Sequence, residues 1–546
     1  MSQAAEQPVR RLQLTAEGVA WTAVLTCALL LRWANLASAL DEGESAQALR
    51  ALAALRAPDA VLNGAFSVLQ AASLATFGAS EGAARLPAVV LGTLLVGTPL
   101  LLRSMLGRAE ALTLGALFVL SPTLTFAARS AEGAVGAWGL AWLAFALAVS
   151  NRAVSAAVAL GVTLAAGPEG VPAALIAIAA AVATGFRASA ARLLPTAVSG
   201  FVLAASAGLS RWVGLGESLA ALASGLSPAA LFSSERLLMG FAISEPMAWI
   251  GALASGVWLL VQRASLPLAR GWVAWLVGGG LLVLVRPVPW SVLPLALGAA
   301  GLASVGYTRL LALLLDEAPR SLGITGLAAL ALAYAALALR QFAESQLLAW
   351  GAAPLVSIAM LLLIFSLGSL GFSPASLLRS VAAAGLIFLA LHTLSANFHL
   401  NLVRPNNSAE PYRALTPAEG LGALMRTVQA LSTRATGEPY ALRVHYPDDA
   451  PAVLRWAMRH WRFAEAHEAQ VWLMPSEAQP NVNRALLGHG FLVTQRASLR
   501  ALVCAAPAQC FALARWTAFR EAPAVQAERW TLWVDADLAL RASGYR

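Results

Sequence analysis

Long apolar stretches separated by short polar ones occupy roughly the first 400 residues of the chain, and the pattern changes after them. A helix of about 20 apolar residues, rising about 1.5 Å per residue, crosses a bilayer core. Stretches of that kind run near 18–37, 85–104, 109–128, 134–150, 152–168, 170–186, 192–209, 243–262, 269–286, 288–305, 321–339, 349–371 and 377–396, which predicts thirteen spans. Phe66 to Phe77 is shorter and is interrupted by Ser67, Gln70 and Ser73; an apolar segment of 10–14 residues is the mark of an interfacial or re-entrant helix. The loop 41–84 is therefore expected to lie on the outer surface, with Arg50 and Arg56 in the headgroup layer. A second outer loop is expected over 210–242, where Glu217 to Leu226 reads as an amphipathic helix.

Arginine placement gives these spans a direction. Arg10 and Arg11 precede the first span. The expected inner loops hold Arg103 and Arg108, Arg152, Arg187 and Arg192, Arg263 and Arg270, Arg309 and Arg320, and Arg379. Acids gather in the other set of loops: Asp41, Glu42, Glu44, Asp59, Glu81, Glu132, Glu169, Glu217, Glu235, Glu245 and Glu344. The positive-inside rule then predicts a cytoplasmic N-terminus and, after thirteen crossings, an outer C-terminus in the cytoplasmic membrane. Counting Phe66 to Phe77 as a span inverts the next two loops.

Composition agrees: 59% of the residues are hydrophobic and 12% charged, with mean hydropathy +0.70, against about 25% charged in soluble proteins. The net charge is +9, carried by Arg with no Lys. Because it is spread over short loops, it sets orientation and meets anionic membrane lipids, not nucleic acid. No small-residue cleavage site follows the first apolar stretch, so that span is expected to be retained. Three cysteines exclude a disulfide-rich scaffold; Cys27 sits in the first span, and Cys504 and Cys510 are either a pair or two free thiols.

From Asn397 charged residues, Pro, Asn and Asp become frequent, and 397–546 reads as a soluble domain following a membrane domain over 1–396. β-type runs at Tyr440–Tyr446 and Ala469–Met474 alternate with helical stretches near 418–433 and 450–460, predicting a small α/β or α+β domain on the outer face. Trp456, Trp461, Trp472, Trp516 and Trp530 are expected in its core.

The first acids after the first span are Asp41 and Glu42, followed by Glu44. At that depth a carboxylate can act as a base on a lipid-linked substrate; the plainer reading is a polar loop after a helix. Several blocks bear on the choice. Arg32-Trp-Ala-Asn-Leu precedes Asp41-Glu42. Phe77-Gly78-Ala-Ser80-Glu81 leads to Arg85-Leu-Pro87. Ser121-Pro122 is followed by Arg129, Ile243-Ser by Glu245-Pro246, and Pro289-Trp290 by Leu293-Pro294. Pro451 to Arg459 stands in the tail. In order and spacing these resemble the GT-C glycosyltransferases of the protein O-mannosyltransferase type (glycosyltransferase family 39), nearest the flippase-activity-associated branch. The resemblance implies a GT-C-like bundle of about thirteen spans that transfers sugar from a polyprenyl-phosphate donor to a hydroxyl of a protein or lipid acceptor. Three departures stand out: Asn63-Gly64-Ala65 before the short helix, Glu132 where relatives carry Asp, and Val285-Arg286-Pro287 with a cation but no acid before Pro-Trp.

Such a transfer needs a base for the acceptor proton, cations for the departing phosphate and a groove for the prenyl chain. Asp41 is the expected base, because a carboxylate near a low-dielectric boundary is a better proton acceptor. Arg129, Arg286 and Arg85 are the expected phosphate partners, since a guanidinium binds two oxygens at once; as interface residues they can equally snorkel. Glu132 is placed to position the acceptor or to share a divalent cation with Asp41, although no His-rich cluster supports a metal. Glu42 and Glu245 complete the candidate substrate-binding set, with helix capping the plain alternative for Glu245. Glu169 reads as a tight turn. Trp212, Trp249, Trp290 and Trp350 read as an aromatic belt. A catalytically inactive GT-C-fold protein that handles lipid-linked sugars or serves envelope assembly is the second class. An alternating-access transporter fits less well, because the spans carry almost no buried charge.

Overall fold

The computed structural model describes residues 15–57, 62, 64–187, 189–228, 231–262, 266–345, 352–498, 507–522 and 524–543; the side chains of 190, 315–321, 498, 507–508, 524 and 543 are not included. Arg10, Arg11, Asp59, Asn63, Arg263, Trp350 and Cys504, and the Arg320 side chain, lie outside the described residues.

Helix α1 (Ala16–Trp33) is capped by Thr15, whose hydroxyl accepts from the Gly18 N–H at 3.1 Å. Helix α2 (Glu42–Arg56) starts with a capping box: Asp41 accepts from the Glu44 N–H, and Glu44 accepts from the Asp41 N–H. This reciprocal arrangement satisfies two amides that a helix start leaves unpaired. Helices α3 (Ala65–Phe77) and α4 (Glu81–Gly97) follow. At 13 residues, α3 is only ~20 Å long, too short for a bilayer core. It buries Phe66, Ser67, Gln70 and Ser73; Gln70 donates to the carbonyls of Ala84 and Ala131 at 2.8 and 3.0 Å, and Ser73 to that of Ala83 at 2.7 Å. The polar residues that interrupt its apolar run are thus the ones that pin it to its neighbours.

Among the described residues six helices are long and apolar enough to cross a membrane, and eight spans result if each of two bent pairs counts as one. Both bends fall at prolines. Arg108–Leu120 meets Pro122–Ala128 at 67°, and Ser234–Ser244 meets Pro246–Val261 at 87°. Shorter apolar helices at Ala134–Val149, Ala153–Ala165, Gly170–Ala183, Ala190–Ala205 and Ala353–Gly368 occupy further predicted spans. The loop expected between 288–305 and 321–339 is absent as a break, because residues Leu293–Ser345 are helical throughout. A straight rod of that length would measure ~80 Å. Trp290, just before it, reaches Glu132 at 2.8 Å, and Phe342 near its end stacks on Phe511 of the C-terminal region with ring centroids 4.5 Å apart. Over this part of the chain Pro289–Leu314 and Leu322–Ser345 are each long and apolar enough to be a span.

The bundle core is aromatic. Trp138, Trp142 and Phe145 of one helix interlock with Trp272 and Trp275 of another, and the Trp142 and Trp272 rings stack at 5.1 Å. Such pairs add about 0.5–1.5 kcal/mol each beyond area burial.

After helix Pro374–Phe398 the chain builds a mixed sheet of six strands in the order β1-β5-β6-β4-β2-β3. These are β1 (Thr416–Pro417), β2 (Arg443–His445), β3 (Arg462–Phe463), β4 (Val471–Pro475), β5 (Leu486–Ser498) and β6 (Ala524–Asp535). β2 falls within the first predicted β-run and β4 overlaps the second, ending one residue beyond it, while helices Glu419–Thr436 and Ala452–Ala457 lie within or near the predicted helical stretches. The sheet and helices enclose a second core holding Leu424, Val444, Leu454, Trp461, Leu473 and Trp530. Trp456 instead packs outward, with Leu40, Ala48 and Leu52 of the α2 region. Cys510 is disulfide-bonded and Cys27 is free.

Candidate functional site

Where α2, the Glu132 loop and the turn at Glu169 meet the C-terminal region, they enclose a cavity of about 540 Å³. Asp41, Glu42, Glu132 and Arg286 line it, with Arg50, Glu169, Trp290, Tyr412 and Arg496. Each is placed by a local device. Asp41 is fixed by the capping box, and its second oxygen accepts from Arg413 at 2.8 Å. Glu132 accepts from the Trp290 indole N–H at 2.8 Å. Its other oxygen lies against Gly43, so close that a Cβ there would stand 2.2 Å from it. Arg286, the cap of helix Pro267–Val285, pairs with Glu169 at 3.2 Å.

The acids differ in ionisation. Burial, then the charge of Glu44, pushes Asp41 up to about 6 against the pull of Arg413 and Arg85. Burial, then the charge of Asp41, pushes Glu132 up to about 8. Burial would also raise Glu44, but the Arg85 guanidinium, bonded to both its oxygens at 2.7 and 2.8 Å, holds it down at about 2. Two neighbouring carboxylates are thereby driven apart, one ready to accept a proton and one holding its own near neutrality. Among the described residues no three His, Cys, Asp or Glu side chains group closely enough to hold a metal ion.

The remaining sequence candidates stand outside this cavity. Arg85 binds Glu44 and donates to the carbonyls of Leu36, Ser38 and Ala39 at 3.0, 2.6 and 3.2 Å. Arg129 donates to the carbonyls of Leu31, Arg32 and Asn35 at 3.2, 3.1 and 3.2 Å and to that of Ala34. Those carbonyls belong to the end of α1, where a helix leaves acceptors unpaired. Glu245 sits in the second bend and accepts from the Ser121 hydroxyl and Thr123 N–H of the first bend, at 2.5 and 2.8 Å. It ties the two broken helices together. Glu42 lines the cavity, yet its carboxylate caps helix Ala452–Ala457, accepting from Ala452 and Val453 at 2.7 and 3.1 Å. It thus ties down the C-terminal sheet region together with Glu81, which holds Arg459 and Trp456, both at 3.1 Å.

Sequence reasoning missed Arg413, Tyr412 and Arg496, because nothing local marks a tail residue as facing a membrane-domain acid. For Trp290 a signal existed: the Pro-Trp block stood in the right order but read as belt.

A bundle of apolar helices with two bent pairs, a short helix after an acidic turn, and a sheet region over an acid-lined cavity together make a GT-C-like fold. The fold matches ArnT from Cupriavidus metallidurans in the apo state, with TM-score 0.54 and 15% identity over 95% of this chain and 99% of that one. It also matches ArnT bound to undecaprenyl phosphate, with TM-score 0.55 and 16% identity over 96% and 99%. The arabinosyltransferase EmbB from Mycobacterium smegmatis aligns over 75% of this chain and 44% of its own, at 15% identity and TM-score 0.37. Neither a protein-family model nor a curated protein sequence matches the chain.

Proposed function

We propose that the protein is a membrane glycosyltransferase that moves a sugar from a polyprenyl-phosphate-linked donor to a hydroxyl of a protein or lipid acceptor. The observation that carries this reading is the single cavity holding Asp41, Glu132 and Arg286 beneath the C-terminal domain. Asp41 takes the proton of the acceptor hydroxyl as its oxygen bonds to the anomeric carbon. The bond from that carbon to the phosphate oxygen breaks, and the donor leaves as polyprenyl phosphate. Glu132, protonated at neutral pH, donates a hydrogen bond to the reacting sugar or phosphate. Arg286, Arg50 and Arg496 offset the phosphate charge. Arg50 lines the same cavity and donates from Nε to the Ala46 carbonyl at 3.3 Å. The fold shared with an ArnT that binds undecaprenyl phosphate supports the donor class. The family 39 branch rests on the sequence blocks alone. Thirteen crossings, an inner N-terminus, an outer domain over 397–546 and residence in the cytoplasmic membrane belong to the same proposal.

Transfer from radiolabelled polyprenyl-phosphate sugars, assayed in proteoliposomes, tests it. Asp41→Asn should abolish transfer while polyprenyl phosphate still binds. One observation favours a catalytically inactive scaffold: Asp41 and Arg286 are each already paired, with Arg413 and Glu169. Wild-type protein that binds the lipid but transfers from none of the donors would establish that second reading.

A further inference from the structure

At the far end of the helices that carry the site, the bundle leaves a second, apolar hollow. Helices Ala134–Val149 and Gly170–Ala183 begin beside Glu132 and Glu169 and end at Ser150 and Thr184, ~20 Å away at 1.5 Å per residue. There they part from the pair Ala153–Ala165 and Ala190–Ala205. That pair is locked: a Cβ on Gly161 would meet the Ala197 carbonyl at 2.0 Å, and one on Gly200 the Val158 carbonyl at 2.8 Å. The space between the two walls measures about 410 Å³ and is lined by Phe145, Leu160, Ile178, Val182, Phe186 and Leu194 with alanines between them. Ile178, Val182 and Leu194 are 45%, 63% and 65% exposed, so the hollow opens sideways.

Its mouth is charged. Ala153, Phe186 and Leu193 line the hollow, and their chain neighbours are Arg152, Arg187 and Arg192, all exposed. No Asp or Glu occurs in 133–168 or in 170–216. Ser150 donates to the Leu101 carbonyl at 2.9 Å, which places this mouth beside the Arg103 end of its neighbour.

We propose that the hollow binds one anionic phospholipid of the leaflet opposite the Asp41 cavity, with an acyl chain against the apolar walls and the phosphate held by Arg152, Arg187 and Arg192. The walls offer no partner to a polar occupant, which would lose its hydrogen bonds on entering. The volume lies in the range of small-ligand cavities. Guanidinium groups match phosphate oxygens in pairs, and no carboxylate in these loops competes for them. A zwitterionic headgroup brings its own cation to the same rim and binds less well. Arginines of this kind also serve orientation in any membrane protein; the adjoining hollow is what sets these apart.

The test uses the full chain, reconstituted in nanodiscs of phosphatidylglycerol or phosphatidylcholine and then released for native mass spectrometry. Wild-type protein should retain one phosphatidylglycerol and no phosphatidylcholine. Changing Arg152, Arg187 and Arg192 together to Gln should weaken retention roughly a hundredfold. Filling the hollow with Ala153→Phe and Ala197→Phe should remove it as well. The arginine variant alters only exposed side chains, so it decides the matter if the filled variant does not fold. Photolabelling by a phosphatidylglycerol with a diazirine in its acyl chain should mark helices Ala153–Ala165 and Gly170–Ala183. Equal retention of both lipids, retention unchanged in a folded hollow-filled variant, or a retained species with the mass of a polyprenyl phosphate overturns the proposal.

Discussion

Asp41 and Arg413 lie 372 residues apart in the chain and 2.8 Å apart in space. Their side chains are 10% and 6% exposed, so this is a buried pair joining the end of the first span to the approach to the C-terminal sheet. Removing one member leaves a buried charge uncompensated, at a cost of about 3–5 kcal/mol. Arg413→Gln should lower the melting temperature in detergent and abolish transfer. Adding Asp41→Asn to it should recover stability without recovering activity. Additive losses in the double variant would show that the two side chains do not act as a pair.

The two shifted acids set a pH profile. In the proposed reaction Asp41 acts as a base once ionised, so the rate should rise through pH about 6. In the same proposal Glu132 acts while protonated, so the rate should fall through pH about 8. kcat/KM for transfer should therefore be bell-shaped with its maximum between these limbs. Glu132→Gln keeps a neutral group that still accepts from Trp290, so it should retain activity and lose the alkaline limb. An unchanged alkaline limb in that variant would remove Glu132 from the role.

Part of this site was legible in the chain. Asp41 and Glu132 could be brought to one face because the arginine pattern orders the spans, and acids in the same set of alternate loops are then expected to share a surface. Arg286 followed by the same logic. Arg129 shows where the logic stops: position places it at the right depth, but not which acceptors use up its N–H groups. Those acceptors are carbonyls of α1, exposed by a helix ending that the apolar pattern extends past Trp33 to residue 37. Glu169 read as a turn because its partner, Arg286, is more than a hundred residues away. The bends at Ser121 and Glu245 were legible as Pro-containing blocks, whereas the bond between them is a tertiary fact.

Gly43 offers a test that leaves every charged group in place. The residue is helical, so alanine suits its backbone, and the exchange alone should favour α2 by about 0.5–1 kcal/mol. The added methyl, however, would stand 2.2 Å from the Glu132 carboxylate. Gly43→Ala should therefore leave thermal stability nearly unchanged while displacing Glu132. It should reduce kcat by roughly 10²-fold, the loss that a misplaced group can bring, and shift the alkaline limb. Wild-type kcat with an unshifted limb would show that the Glu132 carboxylate can move away without consequence.

Arg129 and Arg286 should separate cleanly in one experiment. Both were expected to meet the donor phosphate, but Arg129 directs its donors at the end of α1, whereas Arg286 lines the cavity with Glu169 beside it. Arg129→Gln strips partners from several carbonyls at once, and each buried acceptor left without a donor costs about 1–3 kcal/mol. It should lower the melting temperature markedly, and the fraction that remains folded should bind polyprenyl phosphate as the wild type does. Arg286→Gln removes a cation from the proposed phosphate site. It should weaken polyprenyl-phosphate binding about tenfold or more, by the roughly 1.5–3 kcal/mol of a hydrogen bond to a charged group. Glu169→Gln should move binding the other way, because it frees the guanidinium from its competitor. Titration of purified variants with polyprenyl phosphate, beside melting curves on the same samples, decides between the two arginines. A loss of lipid affinity in folded Arg129→Gln, with none in Arg286→Gln, would reverse the assignment.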